Sequence, residues 1–154
     1  YELTGIAVPY TVDYLVMNDG AIRVTASLDL TGRDLPEMPR FGMRTQLAPE
    51  YNLLTYYGRG PWENYTDRKT ASFLGQYSGL VKDQFTANYI RPQENGYKTD
   101  VRWLTLKSAS GQGYRIEGVQ PICFSALNYS PESLDPGMTK KQQHPSDLRP
   151  DNNV

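Results

Sequence analysis

One cysteine and one histidine occur in 154 residues, and each scarcity excludes chemistry. A lone Cys123 rules out an internal disulfide and any multi-cysteine metal cluster. A lone His144 rules out two-histidine zinc motifs and any mechanism that needs a histidine pair. His144 lies in the polar run Gln142-Gln143-His144-Pro145 and reads as a surface imidazole. Cys123 lies in Gln120-Pro121-Ile122-Cys123-Phe124-Ser125 and reads as a small buried hydrophobe. A basic surplus is also missing: 16 Lys and Arg stand against 17 Asp and Glu, so no nucleic acid partner is expected. No apolar run approaches the roughly 20 residues of a membrane-spanning helix, so no membrane partner is expected either. The start, Tyr1-Glu2-Leu3-Thr4-Gly5, has neither a Met nor the regions of a signal peptide. The end, Arg149-Pro150-Asp151-Asn152-Asn153-Val154, closes no element, and both ends read as cuts within a longer protein. Cytoplasm and periplasm are both compatible with this chain.

What is present favours strands. Apolar residues make up 38%, below the usual share of about 45–50%. Twelve tyrosines partly offset the deficit, because each buries a ring and keeps a polar tip. Asn18-Asp19-Gly20 separates Thr11–Met17 from Ala21–Leu30, and in the second arm Ile22, Val24, Ala26, Leu28 and Leu30 alternate with Arg23, Thr25, Ser27 and Asp29. That is a hairpin with one half-buried face. Further strands are expected over Arg40–Leu47, Leu53–Gly58, Ala71–Tyr77, Tyr97–Ser108, Tyr114–Val119 and Ile122–Tyr129, with Trp103 in the core. Gly58–Tyr65 holds too much Gly and Pro for regular structure, and Asn95-Gly96 supplies a turn with positive φ. Ser130-Pro131-Glu132-Ser133-Leu134-Asp135 offers an N-cap, a Pro at the first helical position and an acid in the first turn, enough for one helical turn. No segment sustains a helical period. The class is all-β, a sandwich or barrel, in one domain over residues 1–154. Residues 135–154 are polar and Pro-rich and are expected to form a loop or disordered tail.

The densest polar cluster is Trp62-Glu63-Asn64-Tyr65-Thr66-Asp67-Arg68. An aromatic platform beside carboxylate, amide and guanidinium suits a sugar, so Trp62, Glu63, Asn64, Asp67 and Arg68 are candidate carbohydrate contacts. Glu63 and Asp67 could form a glycosidase pair only at about 5 Å for retention or about 6.5–9.5 Å for inversion, and an irregular loop does not set that distance. The competing reading has Glu63, Asn64, Asp67 and Arg68 satisfying loop backbone and one another, and it is preferred because buried polar groups are normally paired. Glu94, next to Asn95-Gly96, reads in the same way as a turn residue. Asn64-Tyr65-Thr66 and Asn128-Tyr129-Ser130 match the glycosylation acceptor pattern. No catalytic residue, metal site or cofactor site emerges from the spacing.

Four segments in series carry a resemblance. They are Met38-Pro39-Arg40-Phe41-Gly42-Met43, Tyr57-Gly58-Arg59-Gly60-Pro61-Trp62-Glu63-Asn64-Tyr65-Thr66-Asp67-Arg68, Tyr89-Ile90-Arg91-Pro92-Gln93-Glu94-Asn95-Gly96 and Thr99-Asp100-Val101-Arg102-Trp103-Leu104. In this order they resemble the C-terminal small-chain domain of family 2 β-galactosidases, and Phe124–Leu134 fits as well. The resemblance implies an antiparallel β-sandwich, a supersandwich similar to the galactose mutarotase-like domains. It also implies an accessory role in a glycoside hydrolase of carbohydrate metabolism that cleaves terminal β-D-galactosides such as lactose with retention.

In that family both catalytic glutamates belong to a separate barrel domain. A barrel of about 250 residues does not fit in this chain, which is therefore expected to be inactive alone and to need no cofactor. The implied partners are the catalytic barrel and other domains of the parent enzyme, with galactoside reached through the parent and a homo-oligomer compatible. The family domain is longer and continues to a substrate-reaching tryptophan that has no counterpart here. Two other readings stand beside this one. A stand-alone carbohydrate-binding module would stack sugars on Trp62, Tyr65 and Trp103. A mutarotase-like epimerase is disfavoured by the single His144.

Overall fold

The computed structural model describes residues 8–32, 34–35, 38, 40–88, 95–135 and 144–154. The chain forms two compact units, Tyr1–Thr45 and Gln46–Val154. Its fold is all-β and antiparallel, consistent with the expected β-sandwich, and the only α-helix among the described residues is one turn long.

In the first unit, β1 (Tyr10–Val16) and β2 (Ile22–Leu28) form the expected hairpin. Gly20 takes φ +86°, and the Asp19 carboxylate accepts the Ala21 N–H at 3.0 Å. The register sets Tyr10, Val12, Tyr14 and Val16 opposite Leu28, Ala26, Val24 and Ile22. The alternation is therefore present, but its burial is not: Tyr14, Val16, Ile22 and Val24 are all exposed. Two strands alone have nothing to close over one of their faces.

The second unit is a four-stranded sheet in the order β4-β3-β5-β6, from β3 (Leu53–Gly60), β4 (Phe73–Leu80), β5 (Lys98–Lys107) and β6 (Gly113–Phe124). Leu54, Tyr56, Val81, Val101, Leu104, Leu106 and Ala126 form its core, with Leu47, Tyr51, Phe124 and Val154 packed against them. Ser130 caps α1 (Pro131–Leu134) as expected, its side chain accepting the Ser133 N–H.

Four expectations need correction. Residues 40–47 form no strand, and Leu47 exchanges two backbone hydrogen bonds with Val154 at 2.7 and 3.1 Å. The segments expected as strands over Tyr114–Val119 and Ile122–Tyr129 form one strand, β6, which runs through Pro121 and ends at Phe124. An edge strand tolerates proline because one side of its backbone needs no partner. Beside it the register jumps from Val101↔Ile122 to Trp103↔Glu117, so Gly118, Val119 and Gln120 bulge outward and Val119 is fully exposed. Cys123 is exposed, because it alternates with the inward Ile122 and Phe124. Trp103 is half-buried outside the core, since the core face of β5 belongs to Leu104 and Leu106.

Candidate functional site

The polar loop leaves the sheet where β3 must come close to its neighbours. A side chain at Gly60 would put its Cβ 2.1 Å from the Tyr56 hydroxyl and 2.8 Å from the Tyr77 ring. Glycine there lets the two tyrosines pack, with centroids 5.5 Å apart, and the chain then turns through a cis Gly60–Pro61 bond.

Asn64 anchors the loop and is fully buried. Its Nδ2 donates to the carbonyls of Arg59 at 3.2 Å and Trp62 at 3.0 Å. Its Oδ1 accepts from the N–H of Thr99 at 3.2 Å and from the Thr99 hydroxyl at 2.6 Å. Its own N–H donates to the Tyr97 carbonyl at 2.9 Å. With its amide buried and occupied, Asn64 offers no glycosylation site. Asn128, of the second such motif, is half-buried and donates to the Asn153 carbonyl at 2.9 Å.

Glu63 is also engaged, its side chain only 6% exposed. Arg68 Nη2 reaches Oε1 at 3.0 Å, and the Gly96 N–H donates to Oε2 at 2.7 Å. The Arg68 guanidinium lies 4.3 Å from the centroid of the Tyr65 ring, which in turn stacks on Tyr97 at 5.2 Å. Trp62 and Asp67 point outward, and among the described residues no hydrogen bond or ion pair reaches the Asp67 carboxylate. The structure thus joins Glu63 to Arg68 and leaves Trp62 and Asp67 apart from them.

The Asn95-Gly96 turn has the expected geometry, with Gly96 at φ +68°. Asn95 is buried and pairs its amide with the N–H and carbonyl of Thr86, both at 2.6 Å. Glu94 and the rest of its motif back to Tyr89 lie outside the described residues.

Two charged groups that the sequence did not single out complete the region. Lys98 is buried, and its Nζ donates to the Gly96 carbonyl at 3.1 Å. Burial pushes its ammonium down to about 8, and the Glu63 charge opposes that fall. Asp100, at φ +53°, accepts from Arg59 Nε at 2.5 Å and from Lys69 Nζ at 3.2 Å. The hydrogen bond from Arg59 is the main reason its carboxyl lies below the usual range, and Lys69 adds to the effect. Neither position carried a visible signal, because Arg59 and Lys69, which hold Asp100, and the Glu63 charge felt by Lys98 all lie tens of residues away. The arrangement is a self-satisfied polar network beneath an exposed Trp62, with the Glu63 carboxylate committed to holding backbone.

Known proteins resemble this chain in sequence. A family model described as β-galactosidase small chain matches residues 2–154. A β-galactosidase of Priestia megaterium is 44% identical over 124 residues, covering 80% of this chain and 12% of that protein. A β-galactosidase of Halalkalibacterium halodurans is 34% identical over 140 residues, covering 89% of this chain and 13% of that protein. The β-galactosidase BgaC of Bifidobacterium adolescentis is 39% identical over 131 residues, covering 81% and 12%. The chain spans about an eighth of the length of these curated relatives.

Proposed function

The chain belongs to the β-galactosidase small-chain family, and we propose that it serves as an accessory, non-catalytic β-domain of an enzyme that hydrolyses terminal β-D-galactosides such as lactose. One observation carries this reading: 44% identity over 80% of the chain coincides with only 12% of the relative. A segment of that size leaves the larger part of a relative to supply the catalytic residues. The engagement of Glu63 supports it, since a carboxylate holding Arg68 and the Gly96 N–H is not free to shuttle protons. In this reading Glu63, Asn64 and Arg68 brace the loop, and the domain buttresses a catalytic barrel without a cofactor of its own. Of the candidate carbohydrate contacts Trp62, Glu63, Asn64, Asp67 and Arg68, the reading assigns bracing to Glu63, Asn64 and Arg68 and leaves Trp62 and Asp67 exposed.

A chimera tests the proposal. This chain replaces the matching segment of the Priestia megaterium β-galactosidase, and hydrolysis of a chromogenic β-galactoside is measured per folded molecule. The expected result is activity in the chimera and none in the isolated chain. Hydrolysis by the isolated chain would overturn the non-catalytic assignment, and a folded but inactive chimera would overturn the accessory one.

A further inference from the structure

Opposite its core, the four-stranded sheet presents a second face. The register sets Gln76, Tyr57, Trp103 and Glu117 side by side across β4, β3, β5 and β6. With strands about 4.8 Å apart, the row is about 14 Å long. The neighbouring row is Ser78, Thr55, Thr105 and Arg115, in which the Ser78 and Thr55 hydroxyls lie 2.9 Å apart and Thr105 is buried.

Two guanidiniums organise the rings. The irregular register of β5 brings Arg102 onto this face, its guanidinium 5.6 Å from the Tyr57 ring centroid. Arg115 lies 4.6 Å from the centroid of Trp103 and is ion-paired with Glu117. Each stack uses one face of a ring and holds the ring in place. Neither ring packs on another ring among the described residues, and Tyr57 is 39% exposed. The strands carry Arg59, Arg102, Lys107 and Arg115 on this face against Asp100 and Glu117, whereas the whole chain has a formal charge of −1.

Adjacent aromatic rings accept the C–H face of a sugar, and the exposed Gln76 amide and Ser78 hydroxyl can pair with its hydroxyls. Arg102 gives one N–H to the Asp100 carbonyl and Arg115 gives Nε and Nη2 to one oxygen of Glu117, which leaves each guanidinium further N–H groups for a carboxylate. A neutral sugar leaves the cationic surplus without a counterpart, and an acidic peptide leaves the two neighbouring rings without one. We propose that the Tyr57–Trp103 row, with Arg102 and Arg115, binds an acidic saccharide, a sugar carrying carboxylate groups. This site stands apart from the accessory role, and neither depends on the other.

The test is an amide and side-chain NMR titration of the whole chain with digalacturonate, with lactose and with hexaglutamate as separate arms. Digalacturonate should give saturable shifts at the Trp103 indole N–H and the Arg115 Nε–H, with far weaker responses to the other two. Arg115→Gln should weaken binding about tenfold, since hydrogen bonds between charged groups dominate such sites. Tyr57→Ser should weaken it too, while Arg23→Gln on the hairpin should leave it unchanged. Both site variants change exposed side chains, and dispersed spectra report that they fold. Equal binding of lactose would remove the role of charge. Equal binding of hexaglutamate would make the face a general polyanion or protein contact. No shift with digalacturonate, or unchanged affinity in Arg115→Gln, would overturn the proposal.

Discussion

Asn64 Oδ1 accepts two hydrogen bonds from one residue, the N–H of Thr99 at 3.2 Å and its hydroxyl at 2.6 Å. The partners lie 35 positions apart, and both are fully buried. One amide thereby fastens the loop after β3 to the start of β5. The same side chain closes the loop on itself through the carbonyls of Arg59 and Trp62.

Truncating Asn64 to Ala strands several buried donors and acceptors at once. An unsatisfied buried group costs about 1–3 kcal/mol, so the expected loss is about 3 kcal/mol. Urea denaturation midpoints report it. Asp67→Ala in the same loop removes no hydrogen bond or ion pair among the described residues and should stay within about 0.5 kcal/mol of the parent. Equal midpoints for the two variants would show that Asn64 does not anchor the loop.

Lys98 makes stability depend on pH. Its ammonium falls to about 8 on burial and returns to its ordinary value when the chain unfolds. Below pH 8 both states hold the proton, and the burial penalty is constant. Between pH 8 and about 10.5 the unfolded chain binds the proton more strongly, so stability should rise with pH. Lys98→Met should flatten that rise. A slope that survives the substitution would assign it to another group.

Asp100 combines an unfavourable backbone with a favourable side chain. Its φ of +53° disfavours any residue with a Cβ, while its carboxylate holds Arg59 and Lys69. Ala and Gly substitutions both lose the ion pairs, but only Gly relieves the backbone. Asp100→Gly should therefore be more stable than Asp100→Ala by about 1–2 kcal/mol. In the parent, the carboxyl is lowered, so its stabilisation is complete above the ordinary aspartate value and declines as pH falls through its own lower value. Acid titrations of the three proteins would show whether both variants lose that component.

Tyr56 carries a buried hydroxyl without a hydrogen-bond partner among the described residues. Tyr56→Phe removes that polar atom and should leave stability unchanged or raise it by up to about 1 kcal/mol. Burial also raises the Tyr56 hydroxyl well above its ordinary value, so the parent loses stability as pH climbs past 10, and Phe should remove that loss. Gly60→Ala, whose Cβ meets the same hydroxyl, should cost about 1–3 kcal/mol by overpacking. The Tyr56→Phe and Gly60→Ala double variant should recover part of that cost. Strict additivity in the cycle would show that the hydroxyl is not what Gly60 accommodates.

The local pattern by itself determined the strand-rich class, the Asp19-Gly20 hairpin, the Gly96 turn and the Ser130-capped helical turn, because each depends on residues within one turn or one strand. Series of short motifs likewise determined the family. Tertiary structure decided everything that depends on partners far along the chain. It left the hairpin face exposed, moved Trp103 to the open face of its sheet and turned Cys123 outward. It also separated the members of one loop, committing Glu63 and Asn64 to Gly96 and Thr99 while Trp62 and Asp67 face solvent. The physical reason is that strand periodicity specifies which side chains share a face, whereas only the assembled sheet specifies which face is covered and which distant group a buried polar atom meets.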